Sequence, residues 1–229
     1  MIASVHLADV GAGAALKVLR RAPDPARVPG LRSARVATAA PLGGSVLPAV
    51  QPGRVGLVAF WDGDDALDRF LAEHPLAATL AAGWRLRLAP LRAFGTWPGL
   101  PAEVTRSRAV TGEGPAAVLT LGRLRLSQAV RFFRASSRAE NDVVGASGLT
   151  WATGLARPPF VATCSLWESG HAASTYAYRS GGAPHPTAIE ADRTRPFHHQ
   201  SAFIRFRPYA SEGRLDGRNP LPEHWPATA

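Results

Sequence analysis

Residues 86–99 read LRLAPLRAFGTWPG, and residues 204–217 read IRFRPYASEGRLDG. The two stretches align without a gap when they are offset by 118 residues. The identical pairs are Arg87 and Arg205, Pro90 and Pro208, Gly95 and Gly213, and Gly99 and Gly217. Chance identity at a few positions is common, but matches that keep one order are not. They indicate that the chain contains one unit twice.

Matches upstream of these stretches keep the same order. The sequence VAFWDGDDA (58–66) corresponds to CSLWESGHA (164–172), which sets Trp61 opposite Trp167. Gly30-Leu31 falls on Gly148-Leu149 at the same offset of 118 residues, and His74-Pro75 has a counterpart in His185-Pro186. We therefore expect Trp61 and Trp167 to occupy equivalent positions near the ends of two strands.

The hydrophobic periods of each copy predict strand, helix, strand, strand, helix and strand, which is the ferredoxin-like order βαββαβ. Predicted strands of the first copy are IASVHLA, RSARVATA, RVGLVAFW and WRLRLAPL, with helices over 13–21 and 64–82. Those of the second are AVLTLGRL, LTWATGLA, FVATCSLW and SAFIRFRP, with helices over 127–139 and, broken, over 169–192. In a ferredoxin-like unit, helices cover only one face of the sheet. Pairing two such sheets predicts a closed α+β barrel within one chain.

The domain prediction follows the repeat. Residues 1–101 form the first ferredoxin-like repeat, 102–114 a linker, 115–217 the second repeat, and 218–229 a proline-containing C-terminal tail. The single cysteine, Cys164, cannot form an intrachain disulfide, and the N-terminus lacks the basic region of a signal peptide. These features predict a cytoplasmic protein.

The net charge and the distribution of basic residues limit the classes of partner that we expect the chain to bind. The chain carries a net charge of +9, and 25 of its 26 basic residues are arginines scattered along its length. Nucleic-acid-binding proteins concentrate basic residues in clusters, so we expect no nucleic-acid partner. A positive surface would still favour anionic lipid headgroups or an anionic cofactor, and peripheral contact with a membrane is one expectation.

Several catalytic signatures are missing from the sequence. It contains no P-loop, no Gly-x-Ser-x-Gly elbow and no pair of histidines spaced for a zinc protease. The acidic run DGDD (62–65) is best explained by capping of a helix N-terminus. His198 and His199 are predicted in the loop before the last strand, and Cys164 as a packed, small apolar residue.

The stretch GGAPHPTAI (181–189) holds His185 between two prolines. A proline after glycines suits the first turn of a helix, where the helix dipole keeps an imidazole neutral, as a metal ligand must be. His185 is therefore a candidate metal ligand, with a solvent-facing histidine as the alternative. The first copy reads LAEHPLA (71–77) without glycines, so we expect His74 on a more regular helix.

Five segments of the second copy together resemble the spheroidene monooxygenase family. They are CSLW (164–167), AYR (177–179), PHPTAI (184–189), FIRF (203–206) and GRLDGRNPL (213–221). The family is similar to the dimeric α+β barrel group and is associated with haem and with oxygenation of carotenoids. The resemblance implies that His185 takes the position of the family's histidine and Arg179 that of its arginine. Leu215 stands where the family has tryptophan, so the resemblance does not identify the substrate.

The resemblance implies a haem-dependent monooxygenase that acts on a small apolar substrate, such as a carotenoid or a related secondary metabolite. No Cys-x-x-Cys-His motif is present, so the haem would be a non-covalent haem b whose iron is ligated by His185. Arg179 and Arg134 are candidate partners of the haem propionates, with surface salt bridges as their alternative. An electron-donor protein would be a further partner. The alternatives are a cofactor-free α+β barrel oxygenase and a haem carrier or sensor without turnover.

Overall fold

Eight antiparallel strands close into a barrel in the computed structural model, which describes residues 1–42, 51–104, 114–178 and 196–221. Around the barrel the strands follow the order β1-β3-β2-β6-β7-β5-β8-β4. The strands are β1 (Ile2–Asp9), β2 (Leu31–Pro41), β3 (Arg54–Trp61), β4 (Trp84–Gly95), β5 (Ala116–Leu124), β6 (Leu149–Arg157), β7 (Phe160–Trp167) and β8 (His198–Gly213). The prediction of an α+β barrel is confirmed.

Short helices join the strands. They are α1 (Ala12–Arg20), α2 (Asp64–Glu73), α3 (Pro75–Leu80), α4 (Ala129–Val144), which follows a 3-10 turn over Leu126–Gln128, and α5 (Gly170–Tyr178). Within the described residues, no helix is long and apolar enough to cross a membrane. The same order of elements occurs on both sides of the segment that joins β4 to β5, with two helices between β3 and β4 and α5 between β7 and β8.

The predicted helix over 64–82 is divided at His74, which is a correction to the sequence analysis. Pro75 cannot continue α2 because it lacks a backbone N–H, and it begins α3 instead. His74 caps the new helix by accepting a hydrogen bond from the backbone N–H of Leu76 at Nδ1, over 3.1 Å. Its ring stacks on Phe70 at 4.7 Å between centroids. The prediction of a more regular helix at His74 is therefore wrong.

The barrel interior is filled by apolar side chains from all eight strands. Cys164 lies among them, and burial raises the pKa of its thiol to about 12, so it is a packing residue rather than a thiolate. Trp97 and Leu215 also pack into this interior cluster. The position where the resemblance expects tryptophan therefore belongs to the packing of the barrel interior.

The outer face of β1 to β4 is covered by α1, α2 and α3, and we call the residues between them the first layer. Trp61, at the end of β3, donates its indole N–H to the Ser4 hydroxyl over 2.9 Å. Trp167, at the end of β7, donates its indole N–H to Ser165 of its own strand over 2.9 Å. The two tryptophans therefore occupy comparable positions at strand ends, as expected.

His6 is buried in the first layer and hydrogen-bonds to the Ser4 hydroxyl over 3.0 Å. Burial lowers the pKa of its imidazole to about 3, and the charges of Arg85 and Arg87 act in the same direction. The unfolded chain binds a proton at this residue below its ordinary value of 6.5, whereas the folded chain does not until about pH 3. Stability is therefore complete above pH 6.5 and is lost as the pH falls toward 3.

We predict that His6→Thr reduces the acid sensitivity of the fold. Between pH 7.5 and pH 5, the wild-type free energy of unfolding should fall by about 2 kcal/mol on account of His6, and the variant should lack this part of the loss. Urea unfolding at the two pH values measures the difference. An identical loss in the variant and the wild type would show that another group causes the acid sensitivity.

Candidate functional site

Only one of the three predicted cofactor residues lies in the part of the chain that the structure describes. His185 and Arg179 lie in the segment that joins α5 to β8, outside the described residues, and their roles stay predictions. Arg134 is described and lies exposed on α4. Among the described residues, no group of three His, Cys, Asp or Glu side chains could hold a metal ion.

His198 and His199 begin strand β8 rather than lying in the loop before it, which corrects the sequence prediction. The His198 ring packs on the outer face of the barrel over Gly122, where an added Cβ would lie 2.6 Å from Nε2. It meets Phe132 of α4 edge to face, with 5.1 Å between centroids. The glycine at position 122 thus makes room for an imidazole under α4.

The strand register shows which residues of the two halves are equivalent. Ser4 of β1 lies between Ala59 and Arg87, and Val118 of β5 lies between Ser165 and Arg205 in the same arrangement. The next row on the outer face of the first half contains Val36, Leu57, His6 and Arg85. The corresponding row of the second half contains Gly154, Thr163, Thr120 and Phe203.

In the first layer this row is tightly covered. Val36, Leu57 and His6 are all buried, and Leu67 and Phe70 of α2 are buried in the same cluster as Val36 and Leu57. The His6 and Phe70 rings lie 6.4 Å apart. Large side chains from the sheet and from α2 therefore fill the space between them.

The second layer, which we define as the space between the outer face of β5 to β8 and helices α4 and α5, has smaller side chains. Gly154, Thr163 and Thr120 replace valine, leucine and histidine, and each is only partly buried. Helix α5 begins at Gly170 as α2 begins at Asp64, with a tryptophan three residues before each start. The helix position of Leu67 then corresponds to Ala173.

The apolar residues that remain in the second layer are few and lie mainly toward α4. The buried cluster there consists of Leu124, Val161 and Phe197, with Phe132 packed against it. Phe203 of β8 lies opposite Thr120 of β5 and faces the second layer. Its side chain is 48% exposed. A partly exposed aromatic ring beside small side chains is the lining expected of a site for an apolar ligand.

Charge also distinguishes the two layers. In the first half, Arg87 donates to Asp64 over 2.7 Å and to Asp68, both on α2. Its equivalent, Arg205, is only 6% exposed. The α5 positions equivalent to the two aspartates are Gly170 and Ser174. The helix residues that face this arginine position are therefore acidic in the first half and uncharged in the second.

Arg205 was visible in the sequence, but only as one of the identities between the two copies. Its neighbour across the β4–β8 pair is Arg92, which is also 6% exposed. Nothing in the sequence could have placed these two side chains together, because the register of β4 and β8 shifts at a bulge between Pro90 and Arg92. The structure thus shows two buried arginines at the β4–β8 pair that the sequence analysis did not single out.

The resemblance found in the sequence is confirmed by comparison with known proteins, although no protein-family profile matches. The chain is 34% identical to the spheroidene monooxygenase of Rubrivivax gelatinosus over 171 residues, which cover 72% of this chain and 64% of that protein. It is 25% identical to the spheroidene monooxygenase of Cereibacter sphaeroides over 174 residues, which cover 73% of this chain and 53% of that protein. The matched region spans between half and two thirds of these relatives.

One solved structure resembles the overall fold. An aldoxime dehydratase crystallised with butyraldoxime matches with a TM-score of 0.51 and 9% sequence identity, over 90% of this chain and 79% of that one. At this identity the match concerns the fold alone, and it agrees with the closed α+β barrel.

We predict that Thr163→Leu partly fills the second layer, because leucine occupies the equivalent position 57 of the first layer. The unliganded protein should become more stable by about 1 kcal/mol, since more apolar surface is buried. Its affinity for an apolar fluorescent probe such as Nile red should fall. Thr79→Leu, the same change at an exposed position of α3, is the matched control. Unchanged probe binding in Thr163→Leu would show that the second layer does not admit apolar molecules.

Proposed function

The chain is related to the spheroidene monooxygenases, and from that relationship we propose that it is a haem-dependent monooxygenase-like enzyme. Its haem b would be held non-covalently, with His185 as the iron ligand and with Arg179 and Arg134 beside the propionates. The substrate would be a small apolar molecule such as a carotenoid or a related secondary metabolite. We also propose that the two halves, 1–101 and 115–217, are tandem ferredoxin-like repeats, joined by residues 102–114.

The observation that carries this proposal is the difference between the two layers. The second layer has small side chains where the first has large ones, and it lies in the half whose α5–β8 connection contains His185. Haem b is a large, flat, mostly apolar molecule with two propionate carboxylates. Small threonines and a partly exposed phenylalanine suit the apolar ring of such a molecule. The described residues therefore fit the group that the relationship implies.

The chain's own residues would perform binding, orientation and exclusion of water. His185 would stay neutral in the opening turn of its helix and present a ring nitrogen, and the prolines on both sides would restrict the ring's position. The apolar surface of Phe203 and Phe132 would keep water away from a hydrocarbon substrate. Haem, when bound, supplies the iron that activates oxygen, and an electron-donor protein would supply the reducing equivalents.

The repeat interpretation is supported by strand order as well as by element order. Neighbouring strands of the first half run β4-β1-β3-β2, and those of the second half run β8-β5-β7-β6. The halves meet at two seams, where β2 pairs with β6 and β4 pairs with β8. Two copies of one unit, related by a pseudo-twofold axis through the barrel, account for this arrangement.

We predict that added haemin produces a Soret band in the wild-type protein and that His185→Ala removes most of it. The fold should survive, and the unfolding free energy of the haem-free variant should stay within about 1 kcal/mol of wild type, since a residue in a first helical turn contributes little to the core. His74→Ala is the matched control, because it changes the corresponding histidine-proline pair of the first copy. That control should keep the band.

An unchanged Soret band in His185→Ala at equal haem occupancy would place the iron ligand elsewhere. Complete absence of haem binding by the wild type would favour a cofactor-free oxygenase. Oxidation of a polyene by the haem-loaded protein, driven by a reductant or by peroxide, distinguishes the monooxygenase from a carrier or sensor. In that assay, product formation by wild type and its loss in His185→Ala support turnover at this haem.

A surface patch beside the second layer suits contact with an anionic membrane, where apolar substrates accumulate. Leu126, in the 3-10 turn before α4, and Val130, in the first turn of α4, are 65% and 64% exposed. Arg123 and Arg125 precede them and are exposed as well. Exposed apolar side chains that insert into lipid, with arginines beside anionic headgroups, are the elements of a peripheral membrane contact. We include this contact in the proposed function.

We predict that the protein co-sediments with vesicles rich in phosphatidylglycerol and much less with vesicles of phosphatidylcholine alone. The double variant Leu126→Ser and Val130→Ser should reduce the sedimented fraction severalfold, because it removes the apolar contribution to insertion. Leu16→Ser, at a 51% exposed leucine of α1, is the matched control and should bind like wild type. Equal sedimentation of the double variant and the control would contradict a membrane role for this patch.

A further inference from the structure

Three arginines lie at one mouth of the barrel, where β5 and β6 end and where β2 and β7 begin. Arg123 of β5 and Arg157 of β6 are both register partners of Phe160, the first residue of β7. Phe160 belongs to the interior cluster, so the two arginines occupy inward-facing positions at the rim. Arg35 of β2 also occupies an inward-facing position, because its register partner Val58 belongs to the same cluster. All three arginines are exposed.

The strand order brings these arginines near one another. Neighbouring strands are roughly 5 Å apart, so the backbones of Arg123 and Arg157 lie roughly 10 Å apart on the two sides of Phe160. Strand β2, which carries Arg35, pairs with β6 on the other side of Arg157. Burial lowers the pKa of the Arg35 guanidinium, and the charges of Arg123 and Arg157 act in the same direction. The three guanidinium groups are therefore close enough to repel one another.

No carboxylate balances these charges among the described residues. None of the ion pairs there includes Arg35, Arg123 or Arg157. Arg35 donates one hydrogen bond, to the backbone carbonyl of Ala34 over 2.8 Å. Since a guanidinium carries five N–H donors, most donors of the three side chains remain for a ligand.

The opposite mouth of the barrel carries the equivalent positions with the opposite character. Ser4 corresponds to Val118 and Ala59 to Ser165, so Asp9 of β1 corresponds to Arg123 and Arg54 of β3 to Phe160. Asp9 and Arg54 are also register partners.

The Arg54 guanidinium donates to the Asp9 carboxylate over 2.7 Å and to the Asp216 carboxylate over 3.0 Å. One mouth is therefore closed by an ion-pair network, whereas the other has arginines on both sides of a phenylalanine. Uncompensated arginines are thus not a requirement of the barrel itself.

A phosphate group is the ligand chemistry that this arrangement suits. Guanidinium groups bind phosphate oxygens through paired, charge-assisted hydrogen bonds, and an anion between like charges removes their repulsion. We propose that Arg35, Arg123 and Arg157 form a phosphate-binding site at this mouth of the barrel. The phosphate has two sources, the headgroup of an anionic lipid and a soluble phosphate.

The place of the site in the fold favours the lipid source. The Trp97 and Phe160 rings, with centroids 5.9 Å apart, pack at the centre of this mouth, so a ligand meets the arginines at the rim. The exposed side chains of Leu126 and Val130 lie on the segment that leaves the same mouth after Arg123. A headgroup at the rim would leave its acyl chains beside them. Only this lipid source rests on the proposed membrane contact, and the phosphate site depends neither on that contact nor on haem.

The soluble arm of the test needs no membrane. Isothermal titration calorimetry with sodium pyrophosphate should show binding to the wild-type chain. The double variant Arg123→Gln and Arg157→Gln should bind at least about tenfold more weakly, because it loses charge-assisted hydrogen bonds. The double variant Arg207→Gln and Arg214→Gln is the matched control, since it removes the same charge from exposed arginines on and directly after β8. Circular dichroism confirms that each variant folds.

The lipid arm compares two kinds of phosphatidylcholine vesicle with matched surface charge, one containing phosphatidic acid and the other oleic acid. Only the first presents a phosphate monoester. A lipid phosphate predicts that the wild type and the Arg207, Arg214 control prefer phosphatidic acid, and that the Arg123, Arg157 variant loses this preference. Arginine-dependent binding of pyrophosphate without a preference between the vesicles would instead assign the site to a soluble phosphate.

Two results would overturn the site. One is the absence of arginine-dependent binding in both arms, and the other is an equal loss in the Arg123, Arg157 variant and in its control, which would indicate general charge attraction. Failure of the proposed membrane contact looks different. In that case the Leu126→Ser and Val130→Ser variant would sediment with vesicles like wild type, while pyrophosphate binding would still require Arg123 and Arg157.

Discussion

Closure of the barrel at the β4–β8 seam is the constraint on which the rest of the structure depends. Gly95 has φ of +82°, and a Cβ there would lie 2.1 Å from the Ser201 carbonyl oxygen. Gly213 has φ of +79°, and a Cβ there would lie 2.0 Å from the Gly83 carbonyl oxygen. Only glycine permits both the conformation and the approach. Once the barrel is closed and its interior is packed, the outer faces under the helices remain for a ligand.

The two outer faces are packed with side chains of different size. Leu57, Leu67 and Phe70 give the first layer a continuous apolar core against α2. The second layer has Thr163 and Ala173 at the positions of the two leucines. Truncating a buried leucine typically costs about 2–5 kcal/mol. The side chains that α5 and its sheet present to each other at these positions are therefore smaller than those of α2 and its sheet.

Sequence periodicity was sufficient to predict the strands, because the alternation of apolar and polar residues depends only on which face of a strand is buried. The aligned glycines and the two strand-end tryptophans were also visible, since close backbone approach and a Trp–Ser hydrogen bond need particular residues. The break at His74 and the pairing of Arg92 with Arg205 were not. The break arises because Pro75 starts a new helix although the helical spacing of apolar residues continues through it. The arginine pairing depends on a bulge in the register of β4 and β8, which are far apart in sequence. His185 and Arg179 remain predictions because they lie outside the described residues.

The small side chains of the second layer also imply that ligand binding and the stability of the fold are coupled. A ligand in the second layer, as the proposed function requires, would supply apolar contacts that Thr120, Thr163 and Ala173 cannot make. Part of its binding free energy therefore stabilises the docking of α5 and the strands beneath it, as linkage requires of any ligand that binds the folded state alone. The first half does not depend on a ligand, because large apolar side chains already fill the first layer. Under the proposed function, the first half would keep the stability that the second half has exchanged for a binding surface.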